Sequence, residues 1–553
     1  MITDSRSIPA HAELECDLCI IGAGAAGITL ALQFVQSKHR VILVESGGET
    51  LKAQQQELNH GEVVDGVHLP AHLYRPRRLG GSTAYWGGRC VPLDEVDFRR
   101  RPHVPLSGWP FDRSALQPFY ERAQYLVEAG IFDYSSSTAL RCRGGLVEGF
   151  RDPDVLTESL ERFSPPTNFW RRNRAELAKS ASVIVIGHAT CLRLSGEQAV
   201  AGLECASIGD VRFTVRAHYF VLAVGGLETV RVLGHSGYGN HSGMLGRTYM
   251  CHIEAALGKL RLSPAHRGVQ FGFDRTNDGI YCRRRFTLRD EKQDALGILN
   301  AAIRLHHANI VDPSHRHPVL SATYIAKKLL TPESVGTFTM VEHEVMRRLG
   351  NDVGLWLGHV RNVIFGTPRL ARFALDWAFQ RYVTYPRIPR HILLPNAAGI
   401  YPLDFNGEQA PNFESRVLLA RETDRYGVPR LKIDWRASEL DWLTLSTMLR
   451  ELRRAVEGCG CGTVEYDEKQ LDQDARASVL PLGGHHIGTA RMSESPSSGV
   501  VNSDGRVHFV NNLYVAGCAT FPTSGHANPI LTIVAMALRL AQHLEMRLGR
   551  RFI

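Results

Sequence analysis

Two short runs near the C-terminus carry side chains that can do chemistry. Gly484-His485-His486-Ile487-Gly488-Thr489 offers two adjacent histidines, and Ser524-Gly525-His526-Ala527-Asn528-Pro529 offers a third histidine and an asparagine. A neutral imidazole, with an ordinary pKa of about 6.5, can take a proton at pH 7. A hydrogen-bonded buried histidine is the competing explanation for each ring, and residue type alone does not choose between them. If the first run is extended, His485 and His486 should face different neighbours. Asn528, followed by Pro529 and an apolar run, also reads as the N-cap of a helix reaching about Leu544, with proline at N1. An amide that caps fully cannot also bind a substrate oxygen.

The other end of the chain carries a nucleotide signature. Gly22-Ala23-Gly24-Ala25-Ala26-Gly27 follows an apolar strand, Cys16 to Gly22, opens a helix reaching Gln36, and precedes a second apolar strand, Val41 to Glu45. In such a β-α-β unit the glycines allow a tight turn, close approach of a pyrophosphate and packing of helix on strand. The helix N-terminus offers free N–H groups to the phosphates. Glu45 stands 18 residues after Gly27, where an acid can hold a ribose hydroxyl. The motif nominates Gly22, Gly24, Ala26, Gly27 and Glu45 without separating FAD from NAD. No second GxGxxG follows, which counts against a flavoenzyme that also binds NAD(P)H. A further loop, Arg78-Leu79-Gly80-Gly81-Ser82-Thr83-Ala84-Tyr85-Trp86-Gly87-Gly88-Arg89-Cys90, holds four glycines in nine residues and suits a flat or anionic ligand.

These sites need a scaffold of several elements. Short strands are expected at Val183 to Ile186, Thr190 to Leu194, Val200 to Ala206, Val211 to Val215 and Tyr219 to Val224. A helix is expected over Ala115 to Ala129. Residues 321 to 383 read as largely helical, with Leu355, Trp356, Phe365, Phe373 and Trp377 forming a buried face or lid; a helical stretch lying on a membrane is the alternative. Arg416 to Ala420 and Leu431 to Trp435 read as paired strands around Tyr426-Gly427. His315 to Pro318 and Pro386 to Pro395 read as irregular.

At 553 residues the chain is long for one core. It is 44% hydrophobic and 22% charged, with a net charge of +8. Its short arginine clusters lack interleaved aromatics, so no nucleic-acid partner is expected. The eleven cysteines form no regular framework, and Cys16 and Cys19 read as core residues of a strand. His306, His307, His315 and His317 are too loosely spaced for a metal site, and none is expected. No apolar run long enough to span a membrane and no export signal is read, so a cytoplasmic protein is expected, with export beside a partner subunit left open.

The fingerprint, the Gly-rich loop, Val221-Leu222-Ala223-Val224-Gly225-Gly226-Leu227-Glu228, Glu408-Gln409-Ala410-Pro411-Asn412 and nearly everything from His485 to Leu544 together resemble the glucose–methanol–choline (GMC) oxidoreductases. Gly517-Cys518 and Ala527-Asn528-Pro529-Ile530-Leu531-Thr532 are most similar to the pyranose-oxidase and bacterial sugar-dehydrogenase branch. The resemblance implies an α/β fold, α+β overall: a Rossmann-type FAD-binding domain over 13–255 and 476–553, and a substrate-binding domain of antiparallel sheet and helices over 256–475 with a helical insertion near 321–383. It implies oxidation of an alcohol group to a carbonyl on a sugar, glycoside or related polyol ring. His485 is then the base, Asn528 orients the alcohol, and the helix at Asn528 favours charge on the reduced flavin. FAD contacts are implied at Gly80, Gly81, Ser82, Trp86, Gly87, Gly88, Cys191, Ala223, Gly517, Cys518, Asn528, Pro529 and Ile530. Tyr85 stands where pyranose oxidases carry a flavin-linked histidine, so FAD is expected to be non-covalent. Oxygen, a quinone or an electron-transfer protein would accept the electrons. A homo-oligomer, a non-redox lyase of the same family and a subunit of a larger dehydrogenase complex remain as alternatives.

Overall fold

The computed structural model describes the chain except residues 65, 142–143, 265–267, 331–337, 351–352, 385–392, 395–398 and 550–553. The segment expected to be irregular over Pro386 to Pro395 therefore lies largely outside the described residues. Strands β1 (Ile2–Asp4), β2 (Glu13–Ile21), β3 (Val41–Val44), β4 (Val183–Gly187), β5 (Ala189–Gly196), β6 (Val200–Ser207), β7 (Arg212–Leu222) and β8 (Leu513–Val515) form one sheet. Its order is β1-β4-β3-β2-β7-β6-β5, with β8 beside the last residues of β7. β1, β4, β3, β2, β7 and β8 run parallel, and β5 and β6 are antiparallel. The apolar runs of β2 and β3 suit strands covered on both faces. Cys16 and Cys19 lie within β2 as free thiols, and burial pushes the Cys16 thiol up to about 12.

One expectation fails here. Val211 to Val215 and Tyr219 to Val224 are not two strands but the single β7, because β2 pairs with it in one register from Thr214 to Leu222, across the expected break. Helix α1 (Ala25–Leu32) stops short of Gln36, and α2 (Gly226–Ser236) follows β7 directly.

A seven-stranded antiparallel sheet is built mainly from Ile253–Leu262, Phe286–Leu288, Ala301–Leu305, Ile400–Gly407 and Gly462–Glu465. Strands from outside residues 256–475 also pair with strands inside that range. Val155–Leu156 joins this sheet beside Phe286–Leu288, Leu160–Phe163 pairs with Tyr281–Arg284, Gly61–Val63 pairs with Pro429–Asp434, and Leu480–Pro481 pairs with Ile253–Leu262. Arg416–Thr423 and Pro429–Asp434 form the expected pair. Helices α3 (Pro318–Leu330), α4 (Met340–Leu349), α5 (Val353–Phe365) and α6 (Thr367–Phe379) make up the insertion, over a small core of Ile310, Val311, Leu320, Tyr324, Phe338 and Leu355. Helix α7 (Ile530–Gly549) packs on α1 and closes the first sheet's core. No helix among the described residues is long and apolar enough to cross a membrane.

A buried ion pair ties the two halves together. Arg101 donates two hydrogen bonds to Glu408, Nη1 to Oε2 at 2.8 Å and Nη2 to Oε1 at 2.6 Å, and both side chains are essentially excluded from water. Removing one partner leaves a buried charge unanswered. Arg101→Leu is expected to destabilise the fold by about 3–5 kcal/mol, read as a lowered denaturation midpoint; an unchanged midpoint would show that the pair contributes nothing net.

Candidate active site

The nucleotide signature sits where the parallel strands end. Gly22 follows β2, Glu45 follows β3 and Ala223 follows β7, so all three lie on the carboxyl edge of the sheet, the edge where α/β folds bind ligands. The glycines have separate roles. A Cβ on Gly22 would lie 2.6 Å from the Ala223 carbonyl oxygen, and one on Gly27 would lie 1.9 Å from that of Gly22. A Cβ on Gly24 would meet nothing within 4 Å, so the start of α1 opens onto free space. Ala26 is buried in α1. The Glu45 carboxylate accepts from the Ala23 and Gly47 N–H groups, each at 2.8 Å, while burial raises its pKa. Two bonds leave a carboxylate further acceptor sites for a hydroxyl.

The Gly-rich loop reaches back to this edge. Gly80 N–H donates to the Ala23 carbonyl at 2.9 Å, and Gly81 lies against Gly24. Both take positive φ, which glycine tolerates without strain. Ser82 is exposed at the start of the short helix Gly81–Ala84. Trp86 is anchored through Nε1–H to the Thr167 carbonyl at 3.0 Å. Gly88 has a protein reason for its identity: a Cβ there would strike the Ser164 carbonyl oxygen at 2.4 Å. Upstream, Arg75 and Arg77 reach Glu228 on α2 at 3.0 and 2.8 Å, with Arg231 at 3.3 Å. Burial alone would raise the Glu228 carboxyl, but Arg77, Arg231 and Arg75 hold it well below the usual carboxylate range.

The histidine run docks on the start of α2. Thr489 Oγ1 donates to the Gly226 carbonyl at 2.7 Å, and Gly488, Ala490 and Met492 N–H groups donate to the carbonyls of Cys518, Ala519 and Thr520. Cys518 thus holds the run against the end of β8, where Gly517 takes φ 110° and opens onto free space. Cys191 lies in β5, its thiol pushed up to about 12 by burial.

His485 stands between two partners. Its Nδ1 is 2.6 Å from Nδ1 of His252, and its Nε2 is 3.3 Å from Nδ2 of Asn528. The proton positions follow by elimination. Nε2 of His252 faces the Ser524 carbonyl at 3.2 Å, and a carbonyl only accepts, so that nitrogen carries hydrogen. Burial pushes His252 down to about 3, so the ring is neutral and its Nδ1 must accept. His485 therefore donates from Nδ1, leaving a lone pair on Nε2. Burial, followed by His252, His486 and Arg89, holds His485 well below the histidine range.

The family follows from comparison. A GMC oxidoreductase model matches residues 411–537, and an FAD dependent oxidoreductase model matches residues 17–293. Paromamine 6'-oxidase of Streptomyces fradiae is 34% identical, over 95% of this chain and 90% of its own length. The chain belongs to the GMC oxidoreductases. 6'''-Hydroxyparomomycin C oxidase of Streptomyces lividus is 30% identical, over 98% of this chain and 93% of its own. An FAD-dependent oxidoreductase from Chaetomium thermophilum shares the fold, with a TM-score of 0.52 at 15% identity over 96% of this chain and 99% of that one. The open cradle at Gly24, the adjoining Gly80-Gly81 loop and the acid at Glu45 fit the FAD of a GMC enzyme.

The other named residues of this GMC oxidoreductase fall into place around His485. His486 points elsewhere: its Nδ1 lies 2.8 Å from the Tyr249 hydroxyl, and its buried Nε2 has no hydrogen-bond partner among the described residues. His68, Cys251 and His486 bring possible ligand atoms within 4.8 Å of one another, but the Tyr249 hydroxyl already bonds all three. His526 is buried between Asp94 and Arg285, which accounts for it structurally. Asn528 does not cap α7, which starts at Ile530 with Pro529 before it; the amide turns to His485 instead. His252 was not singled out in the sequence. It lies just before the apolar strand Ile253–Leu262, and only its pairing with residue 485 reveals it.

His252→Leu removes the acceptor for His485 Nδ1–H, whereas His252→Asn can return an oxygen at the Nδ1 position. The leucine variant should lose about 10-fold or more in kcat and the asparagine variant should recover most of it; equal losses would make His252 a packing residue only.

Proposed function

We propose that this GMC oxidoreductase oxidises an alcohol, on a sugar, glycoside or related polyol ring, to the carbonyl. The observation that carries this reading is the lone pair of His485 Nε2, set by His252 and placed beside the Asn528 amide. The names of the paromamine and hydroxyparomomycin oxidases support the substrate class. FAD, when bound, supplies the acceptor for the substrate's hydride. Gly22, Gly24, Gly27, Glu45, Gly80, Gly81 and Ser82 would hold it, with Gly517 and the start of α7 bordering the same site.

The chain's own residues handle the proton. His485 Nε2 takes the hydroxyl proton, and the Asn528 amide donates to the alcohol oxygen as its bond to His485 is exchanged. Desolvation keeps His485 neutral, hence ready to accept, at pH values below those at which an exposed histidine protonates. Tyr85 in place of a linking histidine makes FAD non-covalent; its hydroxyl accepts from Arg78 at 3.0 Å.

Anaerobic mixing with a panel of sugars, glycosides and simple alcohols should bleach the oxidised flavin band; no bleaching across the panel would favour a lyase of the same family. His485→Ala should keep yellow FAD yet lose turnover by about 10² or more, and near-normal rates would remove it as base. The acid limb of kcat/KM should lie below pH 6.5, since neutral His485 is the active form and its pKa is lowered. Acid or heat denaturation should release the flavin into solution, whereas flavin retained on the denatured chain would overturn the non-covalent attachment.

A further inference from the structure

Helix α5 is amphipathic with its faces reversed. Leu355, His359 and Asn362, at spacings of four and three, form its buried stripe. The polar members of that stripe are fixed by hydrogen bonds. His359 Nδ1 lies 3.0 Å from the Ser321 hydroxyl and its Nε2 lies 3.1 Å from the Val311 carbonyl. Asn362 Nδ2 donates to the Pro313 carbonyl at 2.8 Å and to the Ser321 hydroxyl at 3.1 Å. These bonds set the rotation of the helix, and they turn Val353, Leu357, Val360 and Ile364 outward. Those side chains, spaced four, three and four, are 74%, 62%, 40% and 63% exposed, and Phe365 beside them is 82% exposed.

Helix α6 continues the pattern. It has no buried residue, and Leu375 and Phe379 are exposed, as are Tyr382 and Val383 in the turn that follows. Leu329 and Leu330 at the end of α3 are exposed as well. The insertion was expected to bury its aromatic and aliphatic positions; of the five named for that face, Leu355 is buried, Trp356, Phe373 and Trp377 are half-buried and Phe365 is exposed. So many apolar side chains turned outward on consecutive helices mark an interaction surface rather than scattered exposure.

The charges say what covers it. Arg361, Arg369 and Arg372 are exposed on α5 and α6, against one acid, Asp376, which lies 3.9 Å from Arg372. A second copy docked face to face about a two-fold axis would bring the same arginines together. An anionic lipid surface would instead neutralise them while the aliphatic and aromatic side chains enter the boundary between headgroups and acyl chains. We propose that the outer faces of α5 and α6 seat this enzyme on a membrane surface containing anionic lipid, as a peripheral contact with no spanning helix.

The test is flotation of the FAD-loaded protein with vesicles of phosphatidylcholine alone or mixed with phosphatidylglycerol. Binding is expected to the anionic vesicles, to weaken in high salt, and to fall about tenfold or more both in Leu357→Ser/Ile364→Ser/Phe365→Ser and in Arg361→Gln/Arg369→Gln/Arg372→Gln. Flavin absorbance and the thermal midpoint should be unchanged in both variants, because the replaced side chains are exposed. No flotation with anionic vesicles overturns the proposal, as does flotation that the substitutions leave intact. Equal binding to uncharged vesicles overturns the anionic assignment. A dimer in light scattering that the serine substitutions dissociate, without vesicle binding, would assign the face to a second copy instead.

Discussion

The hydrogen bond from His252 to the Ser524 carbonyl decides which nitrogen of His485 is free. Which nitrogen of a neutral imidazole carries the proton is set by the hydrogen bond that the other makes. Here a backbone carbonyl, which cannot donate, fixes His252, and His252 in turn fixes His485. Both rings are desolvated, so neither escapes the constraint by taking a second proton. The protonation pattern of the site thus rests on an interaction one ring removed from His485. The carbonyl belongs to the same C-terminal run that carries Asn528, so a single stretch of backbone positions both partners of His485.

That stretch is held by the sheet. Backbone bonds from Gly488, Ala490 and Met492 tie the histidine run to the turn after β8, and β8 lies against the last residues of β7, from which α2 and the nucleotide edge depart. The Glu228 cluster then fastens α2 to the arginines leading into the Gly-rich loop. The nucleotide-signature edge, the Gly-rich loop and His485 are therefore joined by one continuous set of bonds. Buried charges contribute to this arrangement mainly as fixed positions, since their attraction is offset by the cost of removing them from water.

Much of this was legible in the sequence where local pattern and chemistry coincide. The β2-α1-β3 unit could be read because glycine spacing and apolar runs are local signals, and the family resemblance at both ends is matched by the comparisons. What escaped depends on distance. His252 is 233 residues from His485, and no spacing rule connects them. The continuity of β7 was missed because Arg216 to His218 looks like a polar break, yet β2 pairs with the strand across it. The capping pattern at Asn528-Pro529 was locally sound and lost to a tertiary partner, the His485 ring. The outward stripe of α5 was not singled out because periodicity shows that a helix has two faces and not which of them turns inward; His359 and Asn362 settle that through bonds to Ser321, Val311 and Pro313.

β8 also orders events in time. The sheet that opens with residues 2–4 receives this strand from residues 513–515, so during synthesis Phe220 to Leu222 of β7 lack a neighbour on one flank until residue 515 has emerged. Long-range pairing of this kind is slow to form and leaves an apolar edge available to other chains meanwhile. The turn that positions the histidine run follows β8 immediately. Completion of the first sheet and assembly of the site are consequently the same late step, and a chain stalled before it would have neither.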